Sequence, residues 1–516
     1  DMEKNGGSGI VLAGRPYHVD PEINHGIPEL IAAYGLTVLT EDCLPIDFVP
    51  KRPVRVNDQW VYHSRLYTAA EFVCGRDDLE LIQLNSFGCG LDAVTTDEVC
   101  ELLEQGGKLY TCLKIDEVNN LGAVRIRIRS LLAAVAMRRE RGIHSTSHVQ
   151  PFERVYYTKE MQKQHYTILA PQMSPIHFDI LEPIFRHHGY NFEVLQNDDR
   201  AAIDAGLKYV NNDACYPSIT AVGQLMEAVT SGRYDTDHLA LIMSQTGGCC
   251  RASNYIAFIR RALKKAGLEH IPVISLNANG METNEGFRIS PSLLLDAAHG
   301  VVLGDLLMRC LYRVRPYELE KGSANALHHK WRDICIDSLT SAHPKYRYAQ
   351  LCRGIVEDFD AFPIDETIRK PRVGVVGEIL VKYMPLANNH VVDLLEREGA
   401  EAVVPDLLDF FAATIYEQDF KHTHFGKGWT ASATAKLGIP ALQRMRRPAI
   451  EALKASKRFT PPMAINHVAE LAKPFLSIGN QYGEGWFLAG EMAELITSGT
   501  PNIVCIPVSY THLTLP

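Results

Sequence analysis

The stretch that decides the fold is Leu239-Ala240-Leu241-Ile242-Met243-Ser244-Gln245-Thr246-Gly247-Gly248-Cys249-Cys250-Arg251. Its first five residues form an uninterrupted apolar run, which predicts a buried strand of a parallel sheet. From Ala252 to Ala266 the residues read as an amphipathic helix that ends near Gly267. A strand that stops in two glycines and opens a helix is where open α/β sheets place their chemistry. The glycines let backbone approach a ligand, and the helix start offers free N–H groups and positive potential. Cys249 and Cys250 therefore have what a thiolate needs, a helix start and a neighbouring Arg251. The same pattern also suits small buried residues behind a tight turn, and both readings stay open here.

The residues around this stretch repeat the design. Tyr166–Ala170 predicts a strand, Ile176–His188 a helix closed by Gly189, and Phe192–Leu195 the returning strand of a βαβ unit. Asn211-Asn212-Asp213-Ala214-Cys215-Tyr216-Pro217 then sets Cys215 at a helix start, with Pro217 in the first turn. After Val273–Leu276, residues Pro291–Thr367 read mostly as helices, in which Cys310, Cys335 and Cys352 are packing residues.

Upstream, strands are expected at Gly9–Ala13, Leu36–Leu39, Leu79–Leu84 and Leu109–Ile115. Helices are expected at Asn24–Tyr34, Gln59–Cys74, Ala93–Glu104 and Val118–Arg141. Asn85-Ser86-Phe87-Gly88-Cys89-Gly90-Leu91-Asp92 again carries a glycine-flanked cysteine from a strand into a helix. Cys74, Cys100 and Cys112 read as core, and Cys43 is undecided. His18, Asp20 and His25 could form a metal site, but the spacing favours a turn held by local hydrogen bonds. Arg125, Arg127 and Arg129 could bind phosphates, although a solvated helix face is the simpler account.

Downstream, Val373–Val376 predicts a strand, Val391–Glu398 a helix closed by Gly399, and Ala402–Pro405 the next strand. Asn480-Gln481-Tyr482-Gly483-Glu484-Gly485 precedes a helix, Trp486–Thr497, and Asn502–Ile506 is a strand carrying Cys505. No Gly-x-x-x-x-Gly-Lys-[Ser/Thr] motif occurs, which argues against a P-loop nucleotide site.

Alternating strands and helices predict an α/β chain of successive doubly wound parallel-sheet domains. The expected divisions are residues 1–150, 151–368 and 369–508, with the last domain cut short and 509–516 a non-native tail. The chain reads as an internal fragment of something longer. Its 516 residues exceed one core, and a net charge of −9 argues against a general nucleic-acid binder. No apolar run reaches membrane-spanning length and no signal peptide is visible, so a cytoplasmic location is expected. The 12 cysteines are then free thiols or metal ligands rather than disulfides. Three strand-to-helix loops carry cysteine: Cys89, Cys215 and the Cys249-Cys250 pair. Thiolates gathered at one sheet edge are what an iron–sulfur cluster requires.

Several stretches together resemble the acyl-CoA dehydratase activase-related proteins of the 2-hydroxyacyl-CoA dehydratase and benzoyl-CoA reductase system. They are Ala13-Gly14-Arg15-Pro16-Tyr17-His18, Ser86–Asp92, Asn212–Pro217, Gly247–Arg251, Gly377-Glu378-Ile379 and Gly483-Glu484-Gly485-Trp486. The resemblance runs from about Gly9 to Ile506. It implies flavodoxin-like domains, an anaerobic setting, ATPase activase modules ahead of this region, and a dehydratase or reductase partner. It implies an iron–sulfur cluster of the [4Fe–4S] type, held by Cys89, Cys215 and Cys249 or Cys250 as metal ligands. Arg251 would then raise the cluster's potential. Electron transfer for ATP-driven reductive acyl-CoA chemistry follows as the expected function, with a non-catalytic docking scaffold for the ATPase modules as the alternative. A thiol nucleophile at Cys249 or Cys250 is a third reading and would need a nearby base. Relatives continue past Asn502–Ile506 with a Gln-Pro-Phe-Gly-Cys-Leu-Pro-type stretch, whereas this chain reads Pro507-Val508-Ser509, so one cluster cysteine of the third domain is missing.

Overall fold

The computed structural model describes residues 2, 4, 6–86, 90–115, 121–146, 149–245, 251–277, 282–482 and 484–506. Cys89, Cys249, Cys250 and the tail 509–516 lie outside the described residues. The architecture is α/β, with three sheets in which every strand pair is parallel.

The first sheet holds β1 (Gly9–Ala13), β2 (Thr37–Leu39), β3 (Leu79–Ser86) and β4 (Thr111–Ile115), in the order β2-β1-β3-β4. The second holds β5 (Thr167–Ala170), β6 (Phe192–Val194), β7 (Leu239–Ser244) and β8 (Val273–Leu276), in the order β6-β5-β7-β8. The third holds β9 (Arg372–Gly377), β10 (Glu401–Val403) and β11 (Asn502–Ile506), in the order β10-β9-β11. In each sheet the second strand lies on one side of the first and the third strand on the other. This is the start of the flavodoxin-like order, and it opens a crevice between the carboxyl ends of the first and third strands. In sequence Cys89 follows β3, and Cys249-Cys250 follow β7.

The apolar run of β7 is buried on both faces, and its alternation divides it between two cores. Leu239, Leu241 and Met243 belong to a core that includes the helices Tyr216–Thr230 and Tyr255–Lys265 and continues to Val11 and Leu81 of the first sheet. Ala240 and Ile242 pack on the opposite face with the helix Pro291–Val314 and with Val375 of β9.

Three local expectations are corrected. The helix expected over Asn24–Tyr34 is broken: Pro21–Asn24 ends at His25, whose φ is 54°, and Ile27–Ala32 restarts after Gly26. Pro28 explains the restart, because a residue without an N–H fits only the first turn of a helix. The helix expected from Ala252 begins instead as a 3₁₀ turn, Arg251–Asn254, and becomes α-helical at Tyr255. Residues 406–479, in which no element was expected, carry the helices Leu407–Phe425, Trp429–Ala455 and Ile465–Ala472. Pro440 and Pro448 inside the second of these hide its helical signal.

Candidate functional site at the sheet edges

The central turn is anchored at both ends by one side chain. Gln245 is buried, its Nε2 donates to the Ser253 carbonyl (2.9 Å), and its Oε1 accepts from Ser275 Oγ (2.7 Å). The end of β7 is thereby tied to the turn that opens the next helix and to the neighbouring β8.

Cys215 caps the helix Tyr216–Thr230 with extended backbone, as its place before Tyr216-Pro217 implied. Its carbonyl accepts from the Ser218 and Ile219 amides. The thiol is buried, 3.0 Å from Tyr255 Oη and 3.6 Å from Ser218 Oγ. Tyr255 is the first residue of the helix that follows the central turn, so the structure brings Cys215 to the exit of that turn. The loop before Cys215 reaches the first region. Asn211 Nδ2 donates to the Ala93 carbonyl (3.3 Å), Thr96 Oγ1 (3.1 Å) and Asp97 Oδ1 (3.0 Å). These residues belong to the helix Gly90–Gln105, which starts directly after Cys89. Arg261 adds an ion pair to Asp97 at 2.7 Å, and the Asn57 amide donates to Asn254 Oδ1 at 2.7 Å. The segments leaving all three cysteine loops therefore touch one another.

The charge of Arg251 is felt by Glu378 and Glu484, which precede helices beside the third sheet. Glu378 follows the last residue of β9, and its Oε2 accepts from the Leu380 and Val381 amides at 3.0 and 3.1 Å. Glu484 has a φ of 62°, left-handed for a non-glycine residue, and its Oε1 accepts from the Ile379 amide at 3.2 Å. Gly485 must follow it, because a Cβ there would lie 1.8 Å from the Asn480 carbonyl oxygen. Burial, then the charge of Glu484, pushes the Glu378 carboxyl up to about 8, against its amide donors and Arg251. Burial likewise pushes Glu484 up to about 7, against the Ile379 amide, Lys382 and Arg251. Two carboxyl groups in this state hold a proton near neutral pH. In the sequence both glutamates stand beside glycines, Gly377-Glu378 and Gly483-Glu484-Gly485. The signal for Glu378 was an acid after a glycine at the end of a strand, and for Glu484 a glycine-flanked acid directly before a helix.

At the edge of the first sheet, His18 is buried. Its Nδ1 accepts from the Arg15 amide (3.0 Å), and its Nε2 pairs with Ser86 Oγ (3.0 Å). Asp20 accepts from the Glu22 amide at 2.9 Å. The turn is held locally, as expected, and burial pushes the His18 imidazole down to about 4. Arg15 Nε donates to Asp92 Oδ1 at 3.0 Å, bracing the helix that leaves the Cys89 loop. Arg125, Arg127 and Arg129 lie on the exposed face of the helix Leu121–Glu140. Cys74, Cys310, Cys335 and Cys352 are buried packing residues, as read; Cys100 and Cys112 are only partly buried. Burial pushes the Cys74 and Cys352 thiols up to about 12, which makes them inert. Cys43 and Cys505 are exposed. Among the described residues no group of three or more His, Cys, Asp or Glu side chains could hold a metal ion.

Residues 1–44 match the family described as CoA enzyme activase uncharacterised domain (DUF2229). The matched stretch contains β1, the His18 turn and β2. Neither the curated proteins nor the solved structures gave a match to the chain. Among the described residues no helix is long and apolar enough to cross a membrane.

Proposed function

We propose that this chain is an iron–sulfur redox module of a CoA enzyme activase-type system, relaying low-potential electrons for ATP-driven reductive acyl-CoA chemistry. One observation carries the reading: the segments leaving the three cysteine loops are joined by hydrogen bonds and packing, through Asn211 and through Cys215 with Tyr255. The match of residues 1–44 to an activase-related domain supports it independently.

Cys215 suits a cluster ligand. Its sulfur is buried at a helix start, with the Tyr255 hydroxyl 3.0 Å away and able to donate to a ligating sulfur. With Cys89 and Cys249 or Cys250 it would supply three of the four thiolates that a [4Fe–4S] cluster takes. When bound, such a cluster supplies one-electron transfer. The chain's own residues would set the surroundings. Tyr255 would donate to the Cys215 sulfur, Arg251 would add positive charge, and Gln245 would hold the span of the turn. Glu378 and Glu484 would keep a proton available at the facing edge. ATPase activase modules and a dehydratase or reductase subunit are the partners this role needs, in the cytoplasm.

The test is iron and acid-labile sulfide content with an EPR spectrum, on protein purified without oxygen. About four irons are expected in the parent, with loss in Cys215→Ser and in the Cys249→Ala/Cys250→Ala double variant. A well-folded, iron-free parent would sink the proposal in favour of a docking scaffold.

A further inference from the structure

A separate cavity of about 250 Å³ lies against the edge strand β10. It is lined by Arg309 and Arg313 of the helix Pro291–Val314, by Arg372 and Glu401 at the amino ends of β9 and β10, and by Arg458 and Thr460. The cysteine loops leave the carboxyl ends of their strands, so this cavity is not part of the site above.

The lining carries four guanidinium groups and one carboxylate. Glu401 is buried and fully engaged: Oε1 accepts from Arg372 Nε at 3.0 Å, and Oε2 accepts from Arg313 and from Tyr317 Oη, the latter at 2.9 Å. One charge is thus shared by two arginines. Arg309 donates to Asp406 at 2.6 Å, but Asp406 also serves Arg446, and the buried Arg309 Nε has no acceptor. Arg458 spends Nη1 on the Phe359 and Phe362 carbonyls at 2.8 and 2.9 Å. Its ion-pair partner is the exposed Glu366 at 3.8 Å. Burial holds the Arg458 guanidinium below its ordinary value, with Arg313 adding to the effect and Asp360 and Glu366 opposing it.

Guanidinium forks match the oxygens of phosphate, and a buried N–H without an acceptor is costly. The cavity is smaller than pockets that enclose a whole drug-sized ligand, so it suits a head group. We infer that this cavity binds the phosphate or diphosphate group of a small molecule, with Arg309, Arg313, Arg372 and Arg458 as its donors.

The test is isothermal titration calorimetry of the full chain with inorganic phosphate and with pyrophosphate, beside chloride and malonate at matched ionic strength. Saturable one-to-one binding of phosphate or pyrophosphate is expected, and the tighter of the two tells a monoester site from a diphosphate site. Arg458→Gln should weaken it about tenfold. Glu401→Gln should tighten it several-fold, because Arg313 and Arg372 lose their internal anion. A purely structural cluster predicts the reverse for Glu401→Gln, lower thermal stability with no gain in affinity. Should Arg458→Gln fail to fold, Arg458→Lys keeps the charge without the fork and should weaken pyrophosphate binding. No saturable phosphate or pyrophosphate heat in the parent, malonate binding as tightly as phosphate, or unchanged affinity in folded Arg458 and Glu401 variants would each overturn the inference.

Discussion

In the second sheet, β7 is enclosed by side chains of two cores, and its neighbours β5 and β8 are apolar as well. In the third sheet the same winding is secured by charges. Arg309 and Arg446 share Asp406, Arg446 also holds Asp409, and Lys382 meets Glu491 at 2.7 Å with both side chains nearly inaccessible. The partners lie far apart in sequence, 97 residues for Arg309 with Asp406 and 109 for Lys382 with Glu491. One topology is thus stabilised in two ways, and their sensitivities differ. An apolar core loses stability in proportion to the volume removed. A buried ion network fails when a single partner leaves, because the remaining charges have no water to turn to.

The comparison can be broken most directly at Arg446. Arg446→Met strands Asp409 and leaves Asp406 to Arg309 alone, and a loss of about 3 kcal/mol is expected by urea unfolding. A loss below about 1 kcal/mol would show that charge does not hold the third region. The matching test in the second sheet is Leu241→Ala, at a position fully buried between Leu169 and Val273 in register, with an expected loss of about 3 kcal/mol. Unlike the first, this loss should barely change with pH.

A smaller and pH-dependent effect is expected at Glu378. Its ordinary pKa is 4.5 and its folded value about 8. Between these values the folded carboxyl keeps a proton that the unfolded chain has released. The stability this gives is full below the ordinary value and is lost as pH rises toward the folded one. Melting temperatures of the parent should therefore fall from pH 5 to pH 8, and Glu378→Gln should flatten that fall, with a gain of about 1 kcal/mol at pH 8 after solvent screening. A parent with flat stability across that window would remove Glu378 and Glu484 as a proton-holding pair. The smallest effect is expected at Tyr255→Phe, which deletes the hydroxyl beside Cys215 and should cost about 1 kcal/mol or less in the absence of metal. In iron-loaded protein the same change should shift the reduction potential, which a packing role alone would not do.

The legible part of the molecule follows this division. The apolar run of β7, the paired glycines after it and the Tyr216-Pro217 helix start behind Cys215 each act through neighbours in sequence, and the structure bears out that strand and that helix start. Residues 406–479 were not legible. Their long helix contains Pro440 and Pro448, and its Arg446 is satisfied by Asp406 and Asp409 at the start of the preceding helix, about 40 residues away. Glu378 and Glu484 were visible only as glycine-flanked acids. What pairs them is the crevice between the first and third strands, which a linear reading does not contain. Cys89, Cys249 and Cys250 lie outside the described residues, and their grouping rests on the segments that flank them.

The alternation along β7 has a mechanical consequence. Its odd-numbered residues from Leu239 to Met243 belong to the core shared with the first sheet, and its even-numbered ones to the core shared with the third. The strand is a party wall between two rooms, and neither can be emptied while the other stays furnished. Loss of order on one side removes half the support of the other, so melting should proceed as one cooperative event. A single calorimetric endotherm, rather than three stepwise ones, is the signature of a chain whose three sheets are joined by two continuous cores.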